Sequence, residues 1–207
     1  AVALASVMGW LSWSAVFHAI LTITMVITAA QAFRRGGTLE RSVTSTGMHL
    51  VVFLYPGLFL AYAIRLSSLP NATLLILSFI CMVFFNDASA YAAGLAFGSR
   101  RGLVAVSPNK SMIGFVVGLL VSPFVISMVA LIPGSGIPFL PGRVVLLGLI
   151  VGVATIMGDL LESAFQRAAD VKDSGNVIPG RGGFLDSIDS PIFAAPVFFH
   201  LYQLLFL

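Results

Sequence analysis

Six of the eight acidic residues of this 207-residue chain fall in one short stretch: Asp159, Glu162, Asp170, Asp173, Asp186 and Asp189. The other two are Glu40, in a basic segment, and Asp87, inside an apolar run. Asp159 and Glu162 are three residues apart, so a helix sets them on one face, which Ser163 and Arg167 extend by further turns. Asp186 and Asp189 repeat that spacing. Between the two pairs lie Lys172-Asp173-Ser174-Gly175 and Pro179-Gly180-Arg181-Gly182-Gly183. Glycines let a backbone approach a ligand closely, and successive free N–H groups can hold phosphate oxygens. Lys172 and Arg181 add positive charge beside the carboxylates. Carboxylates, basic side chains and a glycine loop together are what magnesium-assisted phosphate chemistry requires. The ion takes one or two carboxylates plus substrate phosphates, and it neutralises the charge that would repel a phosphate nucleophile from a triphosphate. Spacing alone leaves an alternative open: a solvated interhelical loop whose charges pair with one another. For Asp87 the alternative is a structural ion pair.

The elements that must position these groups are set by composition. The chain is 58% hydrophobic and 9% charged, with a mean hydropathy of +1.04. An average soluble domain carries about 25% charged residues, so most of this surface cannot face water. That excludes a cytosolic globular enzyme, a disordered tail and a secreted disulfide scaffold. The single cysteine, Cys81, provides neither a disulfide framework nor a cysteine zinc site. A spanning helix needs about 20 mostly apolar residues, and six runs qualify: Val2–Phe33, Thr46–Leu66, Ala72–Phe97, Met112–Ile132, Val144–Phe165 and Ile188–Leu207. They are continuous rather than alternating, which excludes a β-barrel. The first run is too long for a signal peptide and lacks a charged start; Trp10 and Trp13 suit an interfacial piece before the span. A start at Ala1 without methionine suits a fragment or a processed product. The fold expected is an all-α, polytopic membrane protein of about six transmembrane helices, in one transmembrane domain over 1–207.

The net charge of +3 and a pI near 9.4 reflect topology rather than nucleic-acid binding. Arg34, Arg35, Arg41, Arg100, Arg101, Lys110, Arg167, Lys172 and Arg181 fall in the three loops of one side, against Arg65 and Arg143 on the other. This positive-inside bias turns the three loops to the cytoplasm. An ionised carboxylate at membrane depth costs at least about 2.5 kcal/mol, so the acids call for a polar cavity, which would open to the cytoplasm.

Over the acidic stretch the chain resembles the phosphatidate cytidylyltransferase (CDP-diacylglycerol synthase) family. That family's signature runs Ser-x-x-Lys-Arg, then Lys-Asp-x-Gly, Pro-Gly-His-Gly-Gly and Asp-Arg-x-Asp. Here it reads Ser163-Ala-Phe-Gln166-Arg167, Lys172-Asp173-Ser174-Gly175, Pro179-Gly180-Arg181-Gly182-Gly183 and Asp186-Ser187-Ile188-Asp189, with no gap. Asn86-Asp87-Ala88-Ser89-Ala90-Tyr91 and Ser107-Pro108-Asn109-Lys110-Ser111 also look like the family. The likeness covers a catalytic part over 85–207 and leaves N-terminal spans over 1–84 without an assigned role.

The resemblance implies that CTP and phosphatidic acid give CDP-diacylglycerol and pyrophosphate, with a divalent metal required. It implies Asp159 and Asp186 as Mg²⁺ ligands, with Glu162, Asp173 and Asp189 as further ligands or supporting groups, and room for a monovalent cation such as K⁺. Lys172, Arg167 and Arg181 would bind phosphates, with Ser163 and the glycines Gly180, Gly182 and Gly183 beside them. Asn86 and Asp87 would line the cavity, and Ser107 and Lys110 would close its cytoplasmic mouth. For Lys110 a plain topology role is the alternative. The resemblance further implies a homodimer in a bacterial inner membrane, with membrane lipid as partner and no nucleic acid. Three positions depart from the signature: Gln166 for Lys, Arg181 for His and Ser187 for Arg. An arginine grips phosphate bidentately, so Arg181 would offset part of the charge missing at Ser187. Competing readings are a CTP-dependent lipid kinase of the polyprenol or phytol type, a cation-coupled transporter, and a non-catalytic relative. His18, His49 and His200 read as hydrogen-bonded or lipid-facing helix residues. The four-residue spacing of Gly94, Gly98, Gly114 and Gly118 reads as close helix contact.

Overall fold

The computed structural model describes residues 13–32, 47, 51, 53–98, 102, 107–108, 110–172, 174–176 and 182–207. The chain divides into two compact units, Ala1–Ser68 and Leu69–Leu207. Every described element is helical.

The first unit holds α1 (Trp13–Ala32), a π-helical turn over Phe53–Leu58, α2 (Phe59–Arg65) and a short 3₁₀ turn over Leu66–Ser68. Pro56 lies within the π turn. A proline offers no N–H to the carbonyl four residues back, and the wider register accommodates that loss. Tyr55 and Phe59 meet edge-on at 6.3 Å across the junction, and the Arg65 guanidinium lies 5.8 Å from the centre of the Tyr62 ring. Of the first two expected spans, α1 falls inside Val2–Phe33. The second, Thr46–Leu66, is described only in part, as the π turn and α2 with Gly47 and Val51.

The second unit is four helices in sequence: α3 (Ala72–Phe97), α4 (Met112–Ala130), α5 (Pro141–Ala168) and α6 (Leu185–Phe206). The first three are long and apolar enough to cross a membrane. At about 1.5 Å per residue, even the 19 residues of α4 come close to the ~30 Å of a hydrocarbon core. α6 has 22 residues, but Asp186, Asp189, His200, Pro191 and Pro196 make it more polar and interrupt its hydrogen-bond ladder. Each helix packs on the next, and α3 also touches α5 and α6.

Lipid supplies no hydrophobic drive between helices, so their packing depends on small residues and polar contacts. A Cβ on Gly148 would stand 2.2 Å from the Pro123 Cα, so α4 and α5 meet backbone to backbone there. On Gly158 it would stand 3.0 Å from the Ser190 Cα of α6. The glycine series of α3 and α4 behaves the same way: Gly114 faces the Ala90 carbonyl, and Gly94 faces the Ser111 hydroxyl. Leu75, Phe79, Met82, Leu147, Ile192 and Phe198 fill the interior, and the Phe79 and Phe198 rings lie 5.3 Å apart. At one end, the Tyr202 hydroxyl donates to the Gly136 carbonyl at 2.7 Å, tying α6 to the α4–α5 turn. Phe97, Leu120, Phe124 and Leu204 face outward and exposed. Such a surface suits lipid rather than water, and the chain is a membrane protein.

Candidate active site

Asn86 marks the junction of three helices. It is fully buried, and its Nδ2 donates to the Gly118 carbonyl at 3.0 Å and to Ser122 Oγ at 2.9 Å, both on α4. The Gly152 carbonyl of α5 lies 3.5 Å from the same nitrogen. The amide is therefore spent on neighbouring helices, and Oδ1 is left buried with no donor. Gly118 makes the approach possible, since a Cβ there would stand 2.9 Å from that oxygen.

One residue on, Asp87 turns toward a cavity of about 470 Å³ between α3, α4 and α5. Asn86, Asp87, Lys110, Ser111 and Asp159 form its polar part, and Tyr91, Leu95, Phe115 and Ile156 are among its apolar lining. Lys110 Nζ is paired with Asp159 Oδ2. Asp87 interacts electrostatically with Asp159, Asp189 and Lys110, and Ser190 is its hydrogen-bond partner. Lys110 is fixed at its base. Its N–H donates to the Ser107 carbonyl at 3.2 Å, and Ser111 caps α4 by accepting the Gly114 N–H at 3.2 Å.

A second group of acids lies between α5 and α6. Glu162 is buried and within hydrogen-bond reach of Asp186 and Asp189, carboxyl against carboxyl. Its Oε1 has no donor. Asp186 is held by neutral donors: Gln166 Nε2 at 2.8 Å, the Ser174 N–H at 3.0 Å to both oxygens, and the Gly183 N–H at 2.6 Å. Burial alone would raise the Asp186 pKa. Its bonds with Glu162, Ser174 and Gly183 outweigh that and lower it to about 2, so the group is a carboxylate at neutral pH. Asp189 links the two groups, interacting with Glu162 on one side and with Asp159 and Lys110 on the other.

The described end of the glycine stretch, Gly182 and Gly183, lies beside Asp186. Gly182 takes φ +95°, a conformation open chiefly to glycine. A Cβ on Gly183 would meet Ser174 Oγ at 2.3 Å. The turn therefore folds against the 174–175 segment and aims the Gly183 N–H at Asp186 rather than outward. Arg167 is exposed and donates to the Val171 carbonyl at 3.2 Å, closing the end of α5. Lys172 is exposed, and Ser107 and Ser163 are half-buried. Asp173, Gly180 and Arg181 lie outside the described residues. Sequence reasoning did not single out Ser122, Gly152, Ser174 and Ser190. Their contribution is a backbone group or a hydroxyl in the right place, which leaves no pattern in a sequence.

Among the described residues, no three acidic, histidine or cysteine side chains are already gathered as a metal-binding group. Mg²⁺ rarely uses such a cage; it keeps waters and takes one or two carboxylates plus phosphate oxygens. Glu162 Oε1 is a buried acceptor without a donor beside two further carboxyls, and a cation fits that arrangement.

The chain is 31% identical over 191 residues to the phosphatidate cytidylyltransferase of Bacillus subtilis, covering 92% of this chain and 67% of that one. It is 31% identical over 164 residues to the Rickettsia typhi protein of the same name, covering 76% and 72%. To the Haemophilus influenzae one it is 40% identical over 132 residues, covering 62% and 45%. It thus spans only part of the length of these relatives, less than half for the last. The model of the cytidylyltransferase family matches residues 1–205. Matched over nearly its whole length, the chain belongs to the cytidylyltransferase family.

Proposed function

We propose that this chain transfers the cytidylyl group of CTP to phosphatidic acid, giving CDP-diacylglycerol and pyrophosphate. The observation that carries the reading is the run of carboxyl groups Asp87, Asp159, Asp189, Glu162 and Asp186, the first two of which line a cavity with both polar and apolar lining residues. The names of the relatives support it. An oxygen of the lipid phosphate forms a bond to the α-phosphorus, the bond from that phosphorus to the bridging oxygen breaks, and pyrophosphate leaves with the electron pair. The attacking oxygen already belongs to an anion, so no protein nucleophile is needed; positioning and electrostatics supply the rate.

Asp159, Glu162, Asp186 and Asp189 would hold Mg²⁺, with Asp173 as a further candidate, and K⁺ could share the cluster. When bound, the divalent ion neutralises charge on the triphosphate. Lys110 meets phosphate oxygens from within the cavity, and Arg167, Lys172 and Arg181 do so from the loop. Tyr91, Leu95, Phe115 and Ile156 offer the acyl-glycerol portion an apolar wall. The site opens to the cytoplasm of a bacterial inner membrane, and the protein works as a homodimer.

Product analysis tests this. Reconstituted protein with phosphatidic acid, Mg²⁺ and CTP labelled at the α-phosphorus is expected to give a labelled lipid and one pyrophosphate per turnover. Label transferred only from the γ-phosphorus, with CDP released, would identify a lipid kinase instead. Ion flux without CTP consumption would identify a transporter.

A further inference from the structure

Lys110 is the basic side chain that lines the cavity among the described residues. Its ammonium pairs with Asp159 and also interacts with Asp87 and Asp189. Three carboxyl groups thus share one lysine. Its main chain is anchored by the Ser107 carbonyl and by the capped start of α4. Its side chain is 24% exposed, on a flexible four-carbon stem that can swing. Asp159 is therefore a carboxylate already occupied by a cation, and one that the proposed reaction assigns to a divalent ion. Two cations on the same carboxylate oxygen repel each other strongly at contact distance. Two buried oxygens of the neighbourhood, Glu162 Oε1 and Asn86 Oδ1, have no donor, so the ammonium does not serve every acceptor.

We propose that Lys110 is a resident counter-ion for Asp159 that is exchanged for the divalent metal. In its absence Lys110 holds Asp159. When metal binds, Lys110 gives up Asp159 and turns its ammonium to the triphosphate. Only ion pairs and hydrogen bonds are exchanged; no covalent bond forms or breaks. The two events are linked, so metal raises the affinity for nucleotide by the factor that nucleotide raises the affinity for metal. This rests on the cytidylyl-transfer reading for the identity of the nucleotide, but the exchange at Asp159 is measured without turnover.

The test uses the full chain in lipid nanodiscs, with binding of Mn²⁺ alone and of the Mn²⁺–CTP complex followed separately. Lys110→Met removes the competitor. Mn²⁺ alone is expected to bind roughly ten-fold tighter, the ratio that ~1.4 kcal/mol makes, while the Mn²⁺–CTP complex binds weaker by a similar factor. Lys110→Arg keeps the competitor and is expected to stay near wild type for Mn²⁺ alone. A merely structural role would move both affinities in the same direction. The wild-type protein gives a second readout: acetylation of Lys110, followed by mass spectrometry, should rise with Mg²⁺ alone and fall with Mg²⁺ plus CTP. Mn²⁺ affinity unchanged or weakened in Lys110→Met overturns the proposal. So does Lys110 acetylation indifferent to Mg²⁺, which decides the matter if the Met variant does not fold. Exchange without a labelled lipid product would keep this inference and remove the reaction; the reverse result would do the opposite.

Discussion

Asp186 owes its charge to its hydrogen bonds, with Glu162 first and then Ser174 and Gly183. Gln166, Ser174 and Gly183 surround it, and Gln166 stands where the family signature has a lysine. A carboxylate held this way remains ionised in the fold down to about pH 2, against about 3.9 in an unfolded chain. The folded-state value is depressed, so its stabilisation is fully present above about pH 4 and disappears as pH falls toward 2. Asp186→Asn is expected to lower the thermal midpoint in detergent at neutral pH, with the difference from wild type narrowing from about pH 4 downward. An unchanged difference across that range would show that the charge of Asp186 is not what its donors stabilise. On activity the same substitution, and Asp159→Asn, should each cost at least about a hundred-fold in kcat, the scale for losing a preorganised electrostatic group. At this scale the sequence made the acids legible by type and spacing. It could not show that Lys110 and Asp159, 49 positions apart, are partners, because that pairing exists only once α4 and α5 are side by side.

Two helix contacts set the geometry of the cavity. Asn86 fastens α3 to the carbonyls of α4 and α5, and both neighbouring acids ride on the fastened helices: Asp87 next in sequence and Asp159 two turns beyond Gly152. Asn86→Ala would leave those groups without their donor. The expected cost is about 1–3 kcal/mol of stability, with kcat falling more than KM because the acids shift while the binding walls remain. Gly148→Ala would drive a methyl into the Pro123 backbone and is expected to cost about 1–3 kcal/mol, measured as denaturant midpoint in detergent. A wild-type midpoint would mean that α4 and α5 are looser than described. The glycine spacing of α3 and α4 was readable as close packing. The role of Asn86 was not, since its partners are backbone carbonyls that every residue has. Nor could composition show that the Gly183 N–H turns to Asp186.

At the scale of the molecule, the apolar runs were the plainest signal. Three of them became α3, α4 and α5, and a fourth became α6. Polar residues and prolines in α6 lower its hydropathy, so composition alone undersells it as a span. The 28 residues of α5 reach about 42 Å at 1.5 Å each. That separates the turn before α5 from the acidic stretch after it by more than a hydrocarbon core. With Cys81 replaced by serine, a cysteine at Asn176 is expected to react with an impermeant maleimide from the cytoplasmic side, and one at Phe139 from the opposite side. Labelling of both from the same side would refute the orientation.

The account as a whole depends on acids of α5 and α6 meeting at one nucleotide-bearing cation. Its most direct measurement is the position of Mn²⁺ located by anomalous scattering in crystals of the protein with a non-reactive CTP analogue. The account predicts a peak within coordination distance of at least one carboxylate from Asp159 or Glu162 and one from Asp186 or Asp189, with Lys110 withdrawn from Asp159. Mn²⁺ bound elsewhere, or bound with the Lys110–Asp159 pair intact, would contradict it.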